Sequence, residues 1–435
     1  MNDFAISENA IVQAQLNRLS SLPLPQGKIG LETVKALCAR VGNPEKKLPP
    51  VFHVAGTNGK GSTCTFLRAI LEASGLTVHT ATKPHLVRYN ERIRLAGQLI
   101  KDDLLAELLK EILDVSQGLA PSFFEVTTVA TFLAFSRVAA DVCVIETGLG
   151  GRLDATNVIP APAVCGIASL GIDHESFLLS PDADVPVLPI ARIAFEKAGI
   201  AKRGVPLVTQ AYGSEASEQI ARVASEKGAI LQQRGISWDC ASTGAMAYWD
   251  TAGMLSLPFP TLVGAHQVDN AALAVAMLRH QAVVPVEDEA IRQGIAAAHW
   301  PARLQLLGPG PLTDLVDNRA VWLDGGHNAD AGAVIGRHFR GTEPVHLVIG
   351  MLAAKDPAAI IAPLLSCVRS ISVVAPPGHE AHGPNEFARF TNQPIRSFAN
   401  VSDALAALPE RGDILIAGSL YLAGEVLRLN RQIPD

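Results

Sequence analysis

The sequence predicts an α/β fold in two parts, each a mostly parallel sheet covered by helices. Three observations carry this expectation. Short apolar runs alternate with helical segments almost throughout the chain. The runs are apolar without polar alternation, as strands buried on both faces are. The 435 residues are 48% hydrophobic and only 18% charged, enough to fill large cores.

Taken in order, Val51–Ala55, Asp141–Glu146, Ala163–Ser169, Val205–Gln210, Ala320–Asp324, Val345–Gly350, Ser370–Ala375 and Asp413–Ala417 read as buried strands. Residues 60–74, Asn270–Gln281 and Asp403–Leu408 read as helices. His299-Trp300-Pro301-Ala302-Arg303 breaks the alternation, and Gly308-Pro309-Gly310-Pro311 follows. A domain boundary is expected there, giving parts 1–300 and 301–435. The proline-bearing stretch Leu178–Pro189 reads as an exposed loop.

Net charge is −6 and no basic tract stands out, which argues against a nucleic-acid partner. The six cysteines form no Cys-x-x-Cys pair, so buried reduced thiols are expected rather than a zinc site or disulfide framework. The first residues carry acids where a signal peptide would carry bases, and no apolar run is long enough for a bilayer. A cytoplasmic protein without a membrane partner is the expectation.

The most telling segment is Val51 to Thr63, an apolar strand entering Gly56-Thr57-Asn58-Gly59-Lys60-Gly61-Ser62. Glycines let backbone N–H groups close around phosphate oxygens, Lys60 can reach the β/γ-phosphates, and Ser62 can bind Mg²⁺. The helix that follows offers its positive end to the same anion. The spacing departs from Walker A: two residues, not four, precede the Gly59-Lys60 pair, and Gly61 separates Lys60 from Ser62. A nucleotide is therefore the expected ligand, and a turn without one the alternative.

A second strand ends in Glu146 and runs into Gly148-Leu149-Gly150-Gly151-Arg152-Leu153-Asp154. Ligands of open α/β sheets sit at the carboxyl ends of strands, where Glu146 could hold Mg²⁺. An exposed strand-end acid is the plainer reading. His174 follows another apolar strand and could join the metal site or be structural. Lys197 sits at a helix end, where a solvated lysine is ordinary. In the second part Asp324-Gly325-Gly326-His327-Asn328 again closes a strand. Asp324 could accept from ribose hydroxyls, His327 and Asn328 could contact base or phosphate, and Arg303 could neutralise a phosphate. Alone, that segment is equally a strand-end turn. The fold expectation thus sharpens to an N-terminal P-loop-type ATPase domain plus a smaller Rossmann-like C-terminal domain.

Together these segments resemble the Mur ligase superfamily, most closely its dihydrofolate synthase/folylpolyglutamate synthase family. The likeness extends through Pro84-His85-Leu86-Val87-Arg88-Tyr89-Asn90, Phe124-Glu125-Val126-Thr127-Thr128, Glu146 to Asn157 and Glu196-Lys197-Ala198-Gly199-Ile200. It continues through Gly264-Ala265-His266-Gln267 with Asn270, Trp300 to Arg303, Asp324 to Asn328, Gly350-Met351-Leu352 and Gly418-Ser419-Leu420-Tyr421.

The resemblance implies an ATP-dependent amide ligase. ATP phosphorylates a carboxylate, an amino acid attacks the acyl phosphate, and an amide forms. It implies ATP contacts at residues 56–62, Asn270, Arg303, Asp324 and His327. Ser62, Glu146, His174 and Lys197 become the metal set, with Lys197 carbamylated and able to support a second Mg²⁺. Lys60, Lys197, His174 and Arg303 become the catalytic set. Lys28, Lys83, Ser122 and Asp154 fall on the acid-substrate side. The expected substrates are a pterin or other carboxylate and an amino acid, glutamate first, and the expected state is a monomer.

Three departures bear on the acid substrate. Lys83 stands where the family carries a metal-binding serine, and a protonated amine cannot ligate metal. Lys83 could replace a cation, pair with the substrate carboxylate, or be exposed. Lys28 stands where an acid is expected in the pterin-binding run, and the Leu178–Pro189 stretch replaces another family segment. The alternatives are a ligase acting on a non-folate carboxylate, a P-loop kinase or NTPase, and a binding protein without catalysis.

Overall fold

A computed structural model describes residues 6–22, 30–173, 178–179, 185–242, 244–317, 319–409 and 411–435. Lys28 and His174 lie outside the described residues. The chain folds as two units. One comprises Met1–Lys83, Arg88–Thr261 and Ala265–His299; the other comprises Pro84–Val87, Leu262–Gly264 and Trp300–Asp435.

The first unit is built on an eight-stranded sheet. Its strands are β1 (Val51–Ala55), β2 (Val78–Ala81), β3 (Ile93–Leu95), β4 (Gln98–Leu99), β5 (Val142–Glu146), β6 (Val164–Ile167), β7 (Pro206–Thr209) and β8 (Ile230–Gln233). The order is β4-β3-β2-β5-β1-β6-β7-β8. Pairing is parallel from β2 to β8, and antiparallel only at the β3 and β4 edge. All five residues of β1 and of β5 are buried, as strands covered on both faces must be. Helix Lys60–Ala73 follows β1 directly. It packs on helix Asp288–Ala297 so closely that a Cβ at Gly294 would lie 2.4 Å from the Ile70 Cα. Helix Phe123–Arg137 is buried on nearly every side and opens with a capping box: the Ser122 hydroxyl accepts from the Glu125 N–H, while Ser122 N–H donates to the Glu125 carboxylate.

The same unit carries a three-stranded antiparallel meander, β9 (Trp238–Ser242), β10 (Met246–Asp250) and β11 (Gly253–Leu257). The sequence reading contains no strand here. Only alternate residues of β9 and β10 are buried, so no apolar run marks them. Of the stretch Leu178–Pro189, residues 180–184 lie outside the described residues; Val187 and Leu188 are exposed and outside any helix, as expected, whereas Leu178 is buried and Pro189 already begins helix Pro189–Ala198.

The second unit holds a six-stranded sheet of β12 (Gln305–Leu306), β13 (Val321–Leu323), β14 (Val345–Ile349), β15 (Val368–Val374), β16 (Ile395–Phe398) and β17 (Ile414–Ala417). Its order is β12-β13-β17-β14-β15-β16, parallel except for β12. Alternate residues feed two cores. Val348, Ile414 and Ile416 enter one, while Leu347, Ile349, Leu415 and Ala417 enter the other. Among the described residues no helix is long and apolar enough to cross a membrane. All six cysteines are buried free thiols, as expected.

Candidate active site

The phosphate loop joins β1 to helix Lys60–Ala73 at the carboxyl edge of the first sheet. Gly59 caps the helix with φ +82°, a left-handed conformation that glycine adopts freely. A Cβ at Gly59 would lie 2.3 Å from Asn270 Oδ1, so the loop and Asn270 pack backbone to amide. Asn270 Nδ2 in turn donates to Gln267 Oε1 at 3.0 Å. The loop is also tied to the end of β6. Thr57 N–H donates to the Ser169 carbonyl at 2.7 Å, and Thr57 Oγ1 donates to the Gly171 carbonyl at 2.8 Å. Lys60 Nζ folds back onto its own loop, donating to the Gly56 and Thr57 carbonyls at 3.0 Å each. Ser62, in the first turn of the helix, is 3% exposed.

Glu146 ends β5, the neighbour of β1, and is also 3% exposed. Its Oε2 accepts from the Lys83 N–H at 3.1 Å. Lys83 follows β2, the next strand along, and is half-buried rather than exposed. The ends of β1, β5 and β2 therefore bring the phosphate loop, Glu146 and Lys83 to one edge. A carboxylate buried this deeply needs a cation beside it. A carboxylate and a hydroxyl such as those of Glu146 and Ser62 are hard oxygen donors, the type divalent ions prefer.

Asp154 organises the turn after Glu146. Its Oδ2 accepts from the N–H groups of Gly148 and Leu149 at 2.8 Å, and its Oδ1 from Thr156 N–H at 3.0 Å and Thr156 Oγ1 at 2.6 Å. Burial raises its pKa, but the positive charge of Lys83 and these donors hold it below the ordinary carboxylate range. Buried His53 on β1 contacts the Thr156 hydroxyl at 2.8 Å, and burial lowers its pKa to about 3, keeping it neutral.

Lys197 is not solvated. It is 4% exposed at the last turn of helix Pro189–Ala198. Burial first, then the charge of Lys60, lower its pKa to about 7, against Asp154, Asp173 and Glu196, which favour the charged form. The helix end interlocks with the Gly150–Arg152 turn. A Cβ at Gly151 would lie 2.8 Å from the carbonyls of Glu196 and Lys197, and Arg152 grips the Glu196 carboxylate at 2.8 and 3.1 Å. Sequence reasoning missed this Arg152–Glu196 lock and the Thr156 anchor. All three residues lie inside the quoted motifs, but only the fold shows what they hold. Ser122 stands at the helix cap described above, its hydroxyl 2.7 Å from the Glu125 carboxylate.

In the second unit Arg303 lies between Ala302 and Leu304, both with positive φ, +56° and +43°. Arg303 Nη1 donates to the Ala302 carbonyl at 2.9 Å. Asp324, at the end of β13, receives the N–H groups of Leu304 at 2.8 Å and Gly326 at 2.7 Å. Burial raises its pKa, opposed by Arg303 and those two bonds. The carboxylate thus fixes the Arg303 and Gly326 turns to each other. Asn328 caps helix Ala329–Phe339 through Ala331 N–H at 3.0 Å, with His327 immediately before it.

Comparison with known proteins extends along the whole chain. Residues 313–429 match the family model described as dihydrofolate synthetase, C-terminal domain. Over 423 residues the chain is 35% identical to the dihydrofolate synthase/folylpolyglutamate synthase of Escherichia coli (strain K12), spanning 95% of this chain and 94% of that one. It is 32% identical to the dihydrofolate synthetase of Saccharomyces cerevisiae, spanning 93% and 98%. The structure of E. coli FolC in complex with DHPP and ADP matches with a TM-score of 0.84 at 33% identity, covering 97% of this chain and 98% of that one. A bifunctional folylpolyglutamate synthase/dihydrofolate synthase with Mn, AMPPNP and L-glutamate bound matches with a TM-score of 0.82 at 30% identity, covering 98% and 99%. Likeness in sequence and in fold over this length has one consequence: the chain belongs to the dihydrofolate synthase/folylpolyglutamate synthase family of Mur-type ligases.

Proposed function

We propose that this chain joins L-glutamate to the carboxylate of a pteroate or folate, driven by ATP through an acyl phosphate. The observation that carries this reading is the assembly at one sheet edge of a glycine phosphate loop and the buried carboxylate Glu146, with the buried amine Lys197 on the helix end that interlocks with the turn after Glu146. A carboxylate is a poor electrophile until one oxygen becomes a leaving group. Phosphorylating it presses anion against anion, so the site must supply positive charge and exclude water.

Residues 56–62 cradle the triphosphate with their N–H groups, and Lys60 leaves the loop carbonyls to reach the β/γ-phosphates. Ser62 and Glu146 would hold Mg²⁺, which supplies charge neutralisation at the phosphates when bound. Asn270 steadies the loop from behind Gly59. In the second unit Asp324 and Arg303 serve the nucleotide, and His327 lies beside them. Lys197 at about 7 is partly neutral near neutral pH, and only a neutral amine reacts with CO₂ to give a carbamate. Asp154 and Ser122 hydrogen-bond within the chain, so they shape the acid-side walls.

A second reading, a non-folate carboxylate as acceptor, is favoured by one observation: half-buried Lys83 places a cation on the acid side. The test is incubation with Mg-ATP, dihydropteroate and glutamate, following ADP release and product mass. ADP release that requires both acid and amine, with a product one glutamate heavier, supports the proposal. Release without an amine acceptor points to an NTPase. Turnover only with another carboxylate sinks the folate assignment and spares the chemistry.

A further inference from the structure

His53 is the one titratable side chain of β1, and the chemistry above leaves it unused. It precedes the phosphate loop on the same strand and is fully buried, 0% exposed. β1 runs between β5 and β6, with Ile145 and Cys165 as the register partners of His53. Its Nε2 lies 2.8 Å from the Thr156 hydroxyl, and its Nδ1 has no partner among the described residues.

The placement of hydrogens gives this contact a direction. The Thr156 hydroxyl has one hydrogen and also lies 2.6 Å from Asp154 Oδ1. Asp154 is ionised: burial works against its charge, but Lys83 and the donors around the carboxylate outweigh burial. Lys83 lies over Gly148, its Cδ and Nζ 3.6 and 3.8 Å from where a Cβ would stand, with Asp154 Oδ2 3.2 Å from the same point. A carboxylate only accepts, so the Thr156 hydrogen points at Asp154. The hydroxyl oxygen then faces His53 with a lone pair, and at 2.8 Å only an Nε2–H can meet it. That tautomer leaves Nδ1 as a bare acceptor. The Nδ1–H tautomer, or the imidazolium, would instead bury an N–H with no acceptor. Donation therefore runs one way, from His53 Nε2–H to Thr156 Oγ1–H to Asp154 Oδ1.

The far end of this relay is the turn after Glu146. Asp154 Oδ2 holds the N–H groups of Gly148 and Leu149, and Oδ1 holds that of Thr156 as well as its hydroxyl. The same turn reaches the Lys197 helix end, where Arg152 N–H donates to the Glu196 carbonyl at 2.7 Å. We propose that His53 is a positioning residue of the ligase, acting through the Thr156 hydroxyl to aim the Asp154 carboxylate and set the turn between Glu146 and the Lys197 helix end. The inference rests on the ligase reading given above and deepens it: a side chain of the phosphate-loop strand sets an acid-side wall. With the relay cut, Asp154 keeps its backbone donors but loses the bond that fixes its Oδ1 side.

The first measurement needs no substrate. Two-bond ¹H–¹⁵N correlation spectra are recorded at neutral pH on the full chain labelled at histidine, with His53 assigned as the signal missing in His53→Gln. A protonated-type Nε2 with an unprotonated-type Nδ1 is expected. The opposite tautomer, or a doubly protonated ring, overturns the relay. The second measurement is kinetic. His53→Gln places an amide N–H where Nε2–H stood, and Thr156→Ser keeps the hydroxyl. Both should hold KM for dihydropteroate within about twofold, whereas His53→Leu and Thr156→Val raise it about tenfold with KM for ATP unchanged. Adding His53→Leu to Thr156→Val should bring no further rise, since both cut one path. Equal effects of His53→Gln and His53→Leu, a rise confined to KM for ATP, or a double variant whose rise is the product of the two singles overturns the inference. Melting curves screen each variant, and if His53→Leu does not fold, Thr156→Ser against Thr156→Val makes the same comparison. No turnover with dihydropteroate would sink the folate reading, and the ring spectrum would still decide the relay.

Discussion

Gly59 shows how tightly single residues are specified at this site. Its φ of +82° and the 2.3 Å that would separate a Cβ from Asn270 Oδ1 act together. Gly59→Ala is predicted to cost about 1–2 kcal/mol in backbone strain and to push Asn270 off the loop. Isothermal titration should show ATP affinity about tenfold weaker, with the fold retained by circular dichroism. Lys197 makes a prediction with a sign. Its folded value of about 7 lies below the ordinary lysine value of 10.5, so the unfolded chain binds more protons between them. Burying it costs stability fully below about 7, and the cost fades as pH rises towards 10.5. Lys197→Met should therefore raise the melting temperature most at about pH 6.5, with a smaller gain at about pH 9.5. It should also abolish turnover if the amine acts as a carbamate. An equal gain at both pH values contradicts the assignment of Lys197 as a buried, depressed lysine.

At the scale of elements, the meander β9–β11 is bolted to helix Ala265–Arg279 by Arg279, whose Nε and Nη2 bond the Asp250 carboxylate at 2.7 and 3.0 Å. Burial raises the Asp250 pKa, but the Arg279 bonds and the Ala252 N–H hold it below 3.8. Its stabilisation is present above the unfolded value and lost as pH falls through the lower folded one. Asp250→Asn should cost about 3 kcal/mol at neutral pH, seen by urea denaturation, and almost nothing in strong acid. Kinetics with ATP should change little, since the meander is remote in sequence from the phosphate loop. The elements also show where sequence reading succeeds. β1 spans Val51–Ala55 in both readings because a short, largely apolar run leads into a glycine turn. β9 to β11 escape because their burial alternates, and β12 because two residues carry no period. The strand-end places of Glu146, Asp324 and the loop itself were legible, since each follows or ends an apolar run. What they touch was not legible. That Lys197 is buried, that Asp154 is filled by four backbone and side-chain donors, and that Lys83 lies over Gly148 depend on contacts between distant segments.

For the whole molecule, the two units each carry a mostly parallel sheet whose strand ends bear polar turns, and two short segments, Pro84–Val87 and Leu262–Gly264, belong with the second unit. No local pattern signals those excursions, since they follow from where the chain passes rather than from composition. Arg303 and Asp324 sit in the second unit, and the phosphate loop in the first. Arg303→Ala is therefore predicted to lower kcat about 10²-fold while leaving the melting temperature of the first unit unchanged, as read by steady-state ADP release and calorimetry. The central claim is that the acid is activated as an acyl phosphate, and isotope transfer tests it most directly. Dihydropteroate carrying ¹⁸O in its carboxylate is turned over with Mg-ATP and glutamate, and the released phosphate is weighed by mass spectrometry. The account predicts one ¹⁸O atom in each phosphate released. Phosphate free of ¹⁸O, with amide still formed, would contradict it.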